Sequence, residues 1–309
     1  MIDESTGQMA ANAFSEIFDR MHPILTSRAN PRIRPDVLYH FTDVGGMLGV
    51  CQNGTLWASL ATSLNDATEV LYATKLAAEI CAAGLPGVDR RYLHQIGHYL
   101  RTRQWIERFR LEIEPFVVSF CARADLALQW LHYGRSGKGV ALGFTGAELE
   151  QSPYDLIPVL YDRAEQENLL KSVISTAYET ITSQFAGVPS EIHEPMLVVA
   201  SHIAAQYILA VAAQLKDPAF AGEEEWRLLT MDFTGEGIPV PKVPTATHFR
   251  SVSTRVVPYK TFQFSPMQIR EIILGYGVSM LQDDPALAVL FRRMGYAISV
   301  ARSAVRVRE

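Results

Sequence analysis

Residues 195 to 215, PMLVVASHIAAQYILAVAAQL, form the longest apolar run and constrain the fold more than any other segment. A helix of that length reaches roughly across a bilayer, yet Ser201, His202, Gln206 and Gln214 interrupt it. The run therefore reads as a buried core helix, apolar on nearly every side. The chain of 309 residues, 48% hydrophobic and 20% charged, has the composition of a globular protein and ample length to bury a core around it.

Around this helix the strand signals are unevenly placed. VLYHF, TLWAS, PFVVSFCA, GKGVALGF and DLIPVLYD precede the helical block, and EWRLLTMDF, STRVVPY, KTFQFS, EIILGYG and AISVARS follow it. DLIPVLYD reads as the neighbour of GKGVALGF. Strands gathered at both ends do not make a βαβ array. The expected class is α+β, a mixed or mostly antiparallel sheet with a helical insertion at about 163–217. Residues 1–34 read as an amphipathic helix and an arginine- and proline-bearing linker, and 35–309 as a single domain.

The formal net charge of −5 argues against holding nucleic acid mainly through its phosphates, while leaving room for a local basic patch. Cys51, Cys81 and Cys121 are odd in number and widely spaced, as in a reducing compartment. The N-terminus is acidic and then amphipathic, unlike a signal peptide. A cytoplasmic protein with no membrane partner is expected.

Familiar chemical signatures are missing. YGRSGKGV lacks the glycine spacing of a phosphate-binding loop, and no G-x-S-x-G elbow occurs. HQIGH sets His94 and His98 four apart, but Gln95 replaces the glutamate of a zinc protease, so a solvated helix face is expected and no metal.

Four places concentrate polar residues beside apolar strands. His40 lies between Tyr39 and Phe41. Asn65 and Asp66 precede a helix with Glu69 at the capping-box position. Ser119 interrupts a strand, followed by Trp130 and Tyr133 on one side of a short helix, where they are either core or a platform for a flat ring. In GEEEWR, strand alternation would put Glu223, Glu225 and Arg227 on one face and Glu224 and Trp226 on the other. Two carboxylates on one face repel unless a cation such as Arg227 intervenes. The pair either blunts a sheet edge or stabilises an oxocarbenium-like centre and handles a proton.

Taken in order, LYHFT, SLNDATE, VVSF, WLHYG, GVALGF, EEEWR and IILG resemble a bacterial family known as domain of unknown function 2971. A more distant resemblance is to ADP-ribosyltransferases, which place His or Arg on a first strand, Ser or Tyr on a middle strand and a glutamate, often within E-x-E, on a later one. That resemblance implies an enzyme consuming NAD as substrate, a transferase or a glycohydrolase, of the kind found among toxins and antiphage effectors. Glu225, Glu223 and His40 would then be catalytic: His40 holds the ribose, Glu225 orients its 2′-hydroxyl and Glu223 activates a macromolecular acceptor. Tyr39, His40, Asn65, Asp66, Ser119, Trp130, Tyr133 and Arg227 would bind NAD or a related nucleotide. Two other classes remain open: a non-catalytic module whose polar blocks fix the fold, and a nuclease whose Asp66, Glu69 and late glutamates gather a divalent cation.

Overall fold

The computed structural model describes residues 15–17, 19–21, 23–24, 33–63, 67–102, 113–233, 246–252 and 254–305. Among the described residues ten strands form one sheet: β1 (Val37–Thr42), β2 (Thr55–Leu60), β3 (Ile113–Cys121), β4 (Val140–Thr145), β5 (Asp155–Pro158), β6 (Glu225–Phe233), β7 (His248–Val252), β8 (Arg255–Gln263), β9 (Ile269–Leu274) and β10 (Ser299–Arg302). The order is β10-β9-β4-β1-β3-β2-β8-β7, with β6 paired to β3 and to β5. Only β9 and β10 run parallel among these pairs. The class is α+β with a mostly antiparallel sheet, and helices Arg163–Ser183 and His193–Val211 intervene between β5 and β6.

The long apolar helix is a core element. Its span Ser190–Gln214 is apolar enough to cross a membrane, with 72% of the most apolar window buried inside the protein. The polar residues that interrupt it are used for packing. Gln206 donates to the Tyr99 hydroxyl at 2.9 Å, Ser201 bonds Gln95 at 3.0 Å, and His202 meets the edge of Tyr99. All three contacts fall on the helix Arg90–Thr102, which together with Ala67–Ala83 and Arg163–Ser183 joins one large apolar cluster. Val117, Leu229 and Met231 carry that cluster onto one face of β3 and β6. Alternate residues Phe116, Val118 and Phe120 pack on the opposite face with the helices Val44–Asn53 and Pro285–Met294.

Local signals set several boundaries. Asp43 caps the helix Val44–Asn53 by accepting from the Gly46 amide at 2.7 Å, and Gly54 ends it in the left-handed region at φ 62°. Two strand expectations need correction. DLIPVLYD does not pair with β4, whose edges are filled by β1 and β9, and β5 instead pairs with β6. STRVVPY and KTFQFS are parts of one strand, β8, with β7 as an unanticipated neighbour. His94 and His98 lie on an exposed helix face, as expected.

The feature that positions a site is a fork. β3 gives one whole edge to β6, from Ile113↔Phe233 to Cys121↔Glu225. Its other edge is shared: β2 holds it at Phe116 and Val117, and β1 holds it at Cys121. Between these contacts the sheet opens beside Val118 and Ser119.

Glycine substitutions separate packing from propensity here. A Cβ on Gly139 would lie 2.2 Å from the Thr42 carbonyl, whereas one on Gly49 meets nothing within 4 Å. Gly139→Ala is expected to lower stability by more than about 2 kcal/mol, the scale of a forced core rearrangement. Gly49→Ala, inside a helix, should raise it by up to about 1 kcal/mol. Denaturant unfolding of both variants checks the pair.

Candidate functional site

Five charged side chains meet behind the fork. Glu69 comes from the helix Ala67–Ala83, Lys216 follows the long apolar helix, Glu223 ends a short turn, and Glu225 and Arg227 open β6. The Lys216 ammonium lies 3.1 Å from Glu69, 2.5 Å from Glu223 and 3.1 Å from Glu225. Arg227 donates from Nε to Glu225 Oε1 at 2.7 Å, and from one terminal nitrogen to Glu225 at 3.0 Å and to Glu69 at 3.0 Å. Its other terminal nitrogen meets the Ala213 carbonyl at 2.7 Å. Three carboxylates against two cations leave one negative charge in excess within the cluster.

Such a group of ions is costly to bury and holds only when each partner is present. Burial pushes the Glu225 carboxyl up, but Arg227 and Lys216, with hydrogen bonds from Arg227 and Ser119, outweigh it and hold the group at about 2. Burial likewise opposes the Lys216 charge, and Glu225, Glu69 and Glu223 more than offset that, raising its proton affinity above the ordinary value. Gln166 fixes the lysine's backbone by donating to the Lys216 carbonyl at 2.7 Å.

β6 begins at Glu225, where the strand EWRLLTMDF was expected to start, so strand alternation covers Glu225 and Arg227 but does not place Glu223. Glu224 adopts φ 47°, ψ 46°, a left-handed conformation unusual for a residue with a side chain. That turn aims both Glu223 and Glu225 at Lys216, and leaves Glu224, with its side chain 44% exposed, to pair with Arg123 at 3.3 Å.

The other expected residues divide. His40, Ser119, Tyr133, Glu223 and Glu225 line one small pocket, which Tyr39 also borders. The Tyr39 hydroxyl donates to Glu271 at 2.6 Å. Trp130 has no solvent exposure; it packs edge-on against Phe41 and its indole nitrogen bonds Asp125. It is core, and Tyr133, 45% exposed, is the aromatic available for stacking. Arg227, 2% exposed and fully engaged, orients Glu225 rather than touching a ligand. Asn65 and Asp66 lie outside the described residues.

His40 sits at the fork. Its Nδ1 is 3.0 Å from the Ser119 carbonyl. A carbonyl only accepts, so the ring donates from Nδ1 and keeps Nε2 as an acceptor. Burial, together with the charge of Arg250, outweighs that hydrogen bond and lowers the imidazole below its usual value, favouring the neutral ring.

Lys216 was not singled out from the sequence, where it is one lysine after an apolar helix. A faint signal was its position seven residues before Glu223. Its ammonium stands where Glu69, Glu223 and Glu225 converge, the place a divalent cation would take, and among the described residues no acidic, His or Cys group is arranged to hold a metal.

Two outcomes follow for stability. Lys216→Met leaves three carboxylates facing Arg227 alone and should cost about 3–5 kcal/mol, the scale for breaking a buried ion pair. Because the Glu225 carboxyl is lowered from 4.5 to about 2, its stabilisation is complete above pH 4.5 and is lost as pH falls toward 2. Denaturant titrations across that window should show a shallower acid dependence for Glu225→Gln; an unchanged slope contradicts the ionised, paired carboxylate.

Comparison with known proteins adds one match. No curated protein and no solved structure matches the chain. Residues 129–228 match the family described as Protein of unknown function (DUF2971). The match opens one residue before Trp130, takes in WLHYG and GVALGF, and closes just past Arg227. Over residues 129–228, from the helix beside the cleft to the charged start of β6, the chain carries the DUF2971 family pattern.

Proposed function

We propose that this chain consumes NAD, cleaving the bond between nicotinamide and ribose and passing the ADP-ribosyl group to an acceptor or to water. The observation that carries this reading is the adjacency of β1, β3 and β6, which sets His40, Ser119 and Glu225 around one cleft in the order expected of ADP-ribosyltransferases.

The chemistry suits these groups. The C1′–N1 bond breaks with its electron pair leaving on neutral nicotinamide, so positive charge develops at C1′. A carboxylate ionised down to about pH 2, in a cluster with one excess negative charge, stabilises that charge without reorganising. The acceptor then bonds C1′ and gives its proton to Glu223, which lines the same pocket. Glu225 already receives hydrogen bonds from Arg227 and Lys216, and one from Ser119. The Ser119 hydroxyl is the neutral donor in this set, and a ribose 2′-hydroxyl would take its place. The acceptor nitrogen of His40 meets a second ribose hydroxyl, and the Tyr133 ring covers the nicotinamide.

A second reading has one observation in its favour: the carboxylate of Glu225 is so fully paired that the cluster would serve equally as a buried clamp of a non-catalytic binding module.

Nicotinamide release from NAD separates the two. Wild type should release it, Glu225→Gln should be slower by about 100-fold or more, the scale of losing one group that stabilises developing charge, and Glu224→Gln should match wild type. Equal release by Glu225→Gln would remove that residue from the mechanism, and no release by wild type with NAD and water or cell-extract acceptors would favour the binding module.

A further inference from the structure

The small pocket at the carboxylates continues into a larger cavity of about 490 Å³, and His40, Ser119 and Tyr133 line both. The larger space occupies the fork itself, between β1 and β2 and against Val117 and Val118 of β3. Its wall also carries Arg250 from β7.

Arg250 is unlike Arg227. Arg227 is matched by two carboxylates. Among the described residues Arg250 gives one hydrogen bond, 2.8 Å from a terminal nitrogen to the Ser59 hydroxyl, and its guanidinium stands 5.3 Å from the Trp57 ring. Its Nε is buried with no hydrogen-bond partner, and no carboxylate among the described residues pairs with it. Burial pulls its proton affinity below the ordinary guanidinium value, as expected for a cation lacking a counter-ion. A half-buried guanidinium with unused donors, facing a cavity, is built for an anion with paired oxygens. Gly45 and Gly49 lie one helical turn apart on the wall of the same cavity, and a Cβ on Gly49 would meet nothing within 4 Å, so a ligand can approach the helix backbone there.

The cleft is therefore polarised, with excess negative charge at Glu223 and Glu225 and, among the described residues, a positive charge at Arg250 that no carboxylate matches. We infer that Arg250 binds the diphosphate of a dinucleotide whose cationic end lies at Glu225. This rests on the proposed NAD-consuming reading for the identity of the ligand; the phosphate contact itself can stand or fall alone. NAD fits such polarity, carrying a pyridinium at one end and a diphosphate in its middle. Arg250 is a binding residue in this scheme and takes no part in the bond-breaking step.

Calorimetric titration with ADP and with adenosine, which share base and ribose and differ in the diphosphate, tests the contact. Wild type should bind ADP at least tenfold more tightly than adenosine, and inorganic pyrophosphate should displace ADP. Arg250→Gln should weaken ADP by tenfold or more while leaving adenosine within threefold, and Arg250→Lys, which keeps the charge and loses the fork, should fall between. Glu224→Gln, at an exposed carboxylate paired with Arg123, should leave ADP affinity within threefold. If Arg250→Gln does not fold, the lysine variant and the ADP-to-adenosine ratio of wild type decide the matter. Equal binding of ADP and adenosine by wild type, or ADP affinity unchanged in the Arg250 variants, overturns the assignment. Arg250-dependent ADP binding without nicotinamide release supports the phosphate site and instead counts against the NAD-consuming reading.

Discussion

The Lys216 ammonium, held by three carboxylates from two separate parts of the chain, is the contact on which the site depends. It ties the helix Ala67–Ala83 to the start of β6 and to the end of the apolar core helix. Without it Glu223 and Glu225 would repel, and one would take up a proton or turn to solvent. With it both stay buried beside the fork in the sheet, and Glu225 stays ionised. The cost of collecting these charges is offset by near-complete hydrogen bonding, the condition under which buried ionic groups persist.

The fork is the second constraint. A sheet in which β1 and β2 both ran fully along β3 would leave no space beside Ser119. Because each holds only part of that edge, backbone and side-chain polar groups face a cavity instead of a ladder. His40 bridges the opening through the Ser119 carbonyl and presents its other nitrogen. The site is thus a consequence of sheet topology, with side chains chosen to match charge at its two ends.

Much of this was legible in the chain. The strand EWRLLTMDF matches β6 end to end, and the core helix was marked by polar residues too many for a membrane span. His40, Ser119, Glu223 and Glu225 were identifiable as polar residues in apolar surroundings, and they do meet. What escaped depended on long-range placement. The pairing of β5 with β6 spans about seventy residues of helix, which no local pattern encodes. Helical spacing of Trp130 and Tyr133 could not say which ring is core, because that depends on Phe41 and Asp125. Lys216 and Arg250 carry ordinary surface residue types, and only the fold reveals that one is buried among acids while the other meets no carboxylate among the described residues.

The reading as a whole asks that a nicotinamide ribose sit against Glu225. A crystal structure of the chain with a carbocyclic NAD analogue that resists cleavage measures this directly. The expected result is a ribose 2′-hydroxyl within hydrogen-bonding distance of the Glu225 carboxylate, with the ring over Tyr133 and His40 Nε2 on the sugar. A ligand bound elsewhere on the surface, with the Ser119 hydroxyl still on Glu225 and the fork empty, would contradict it.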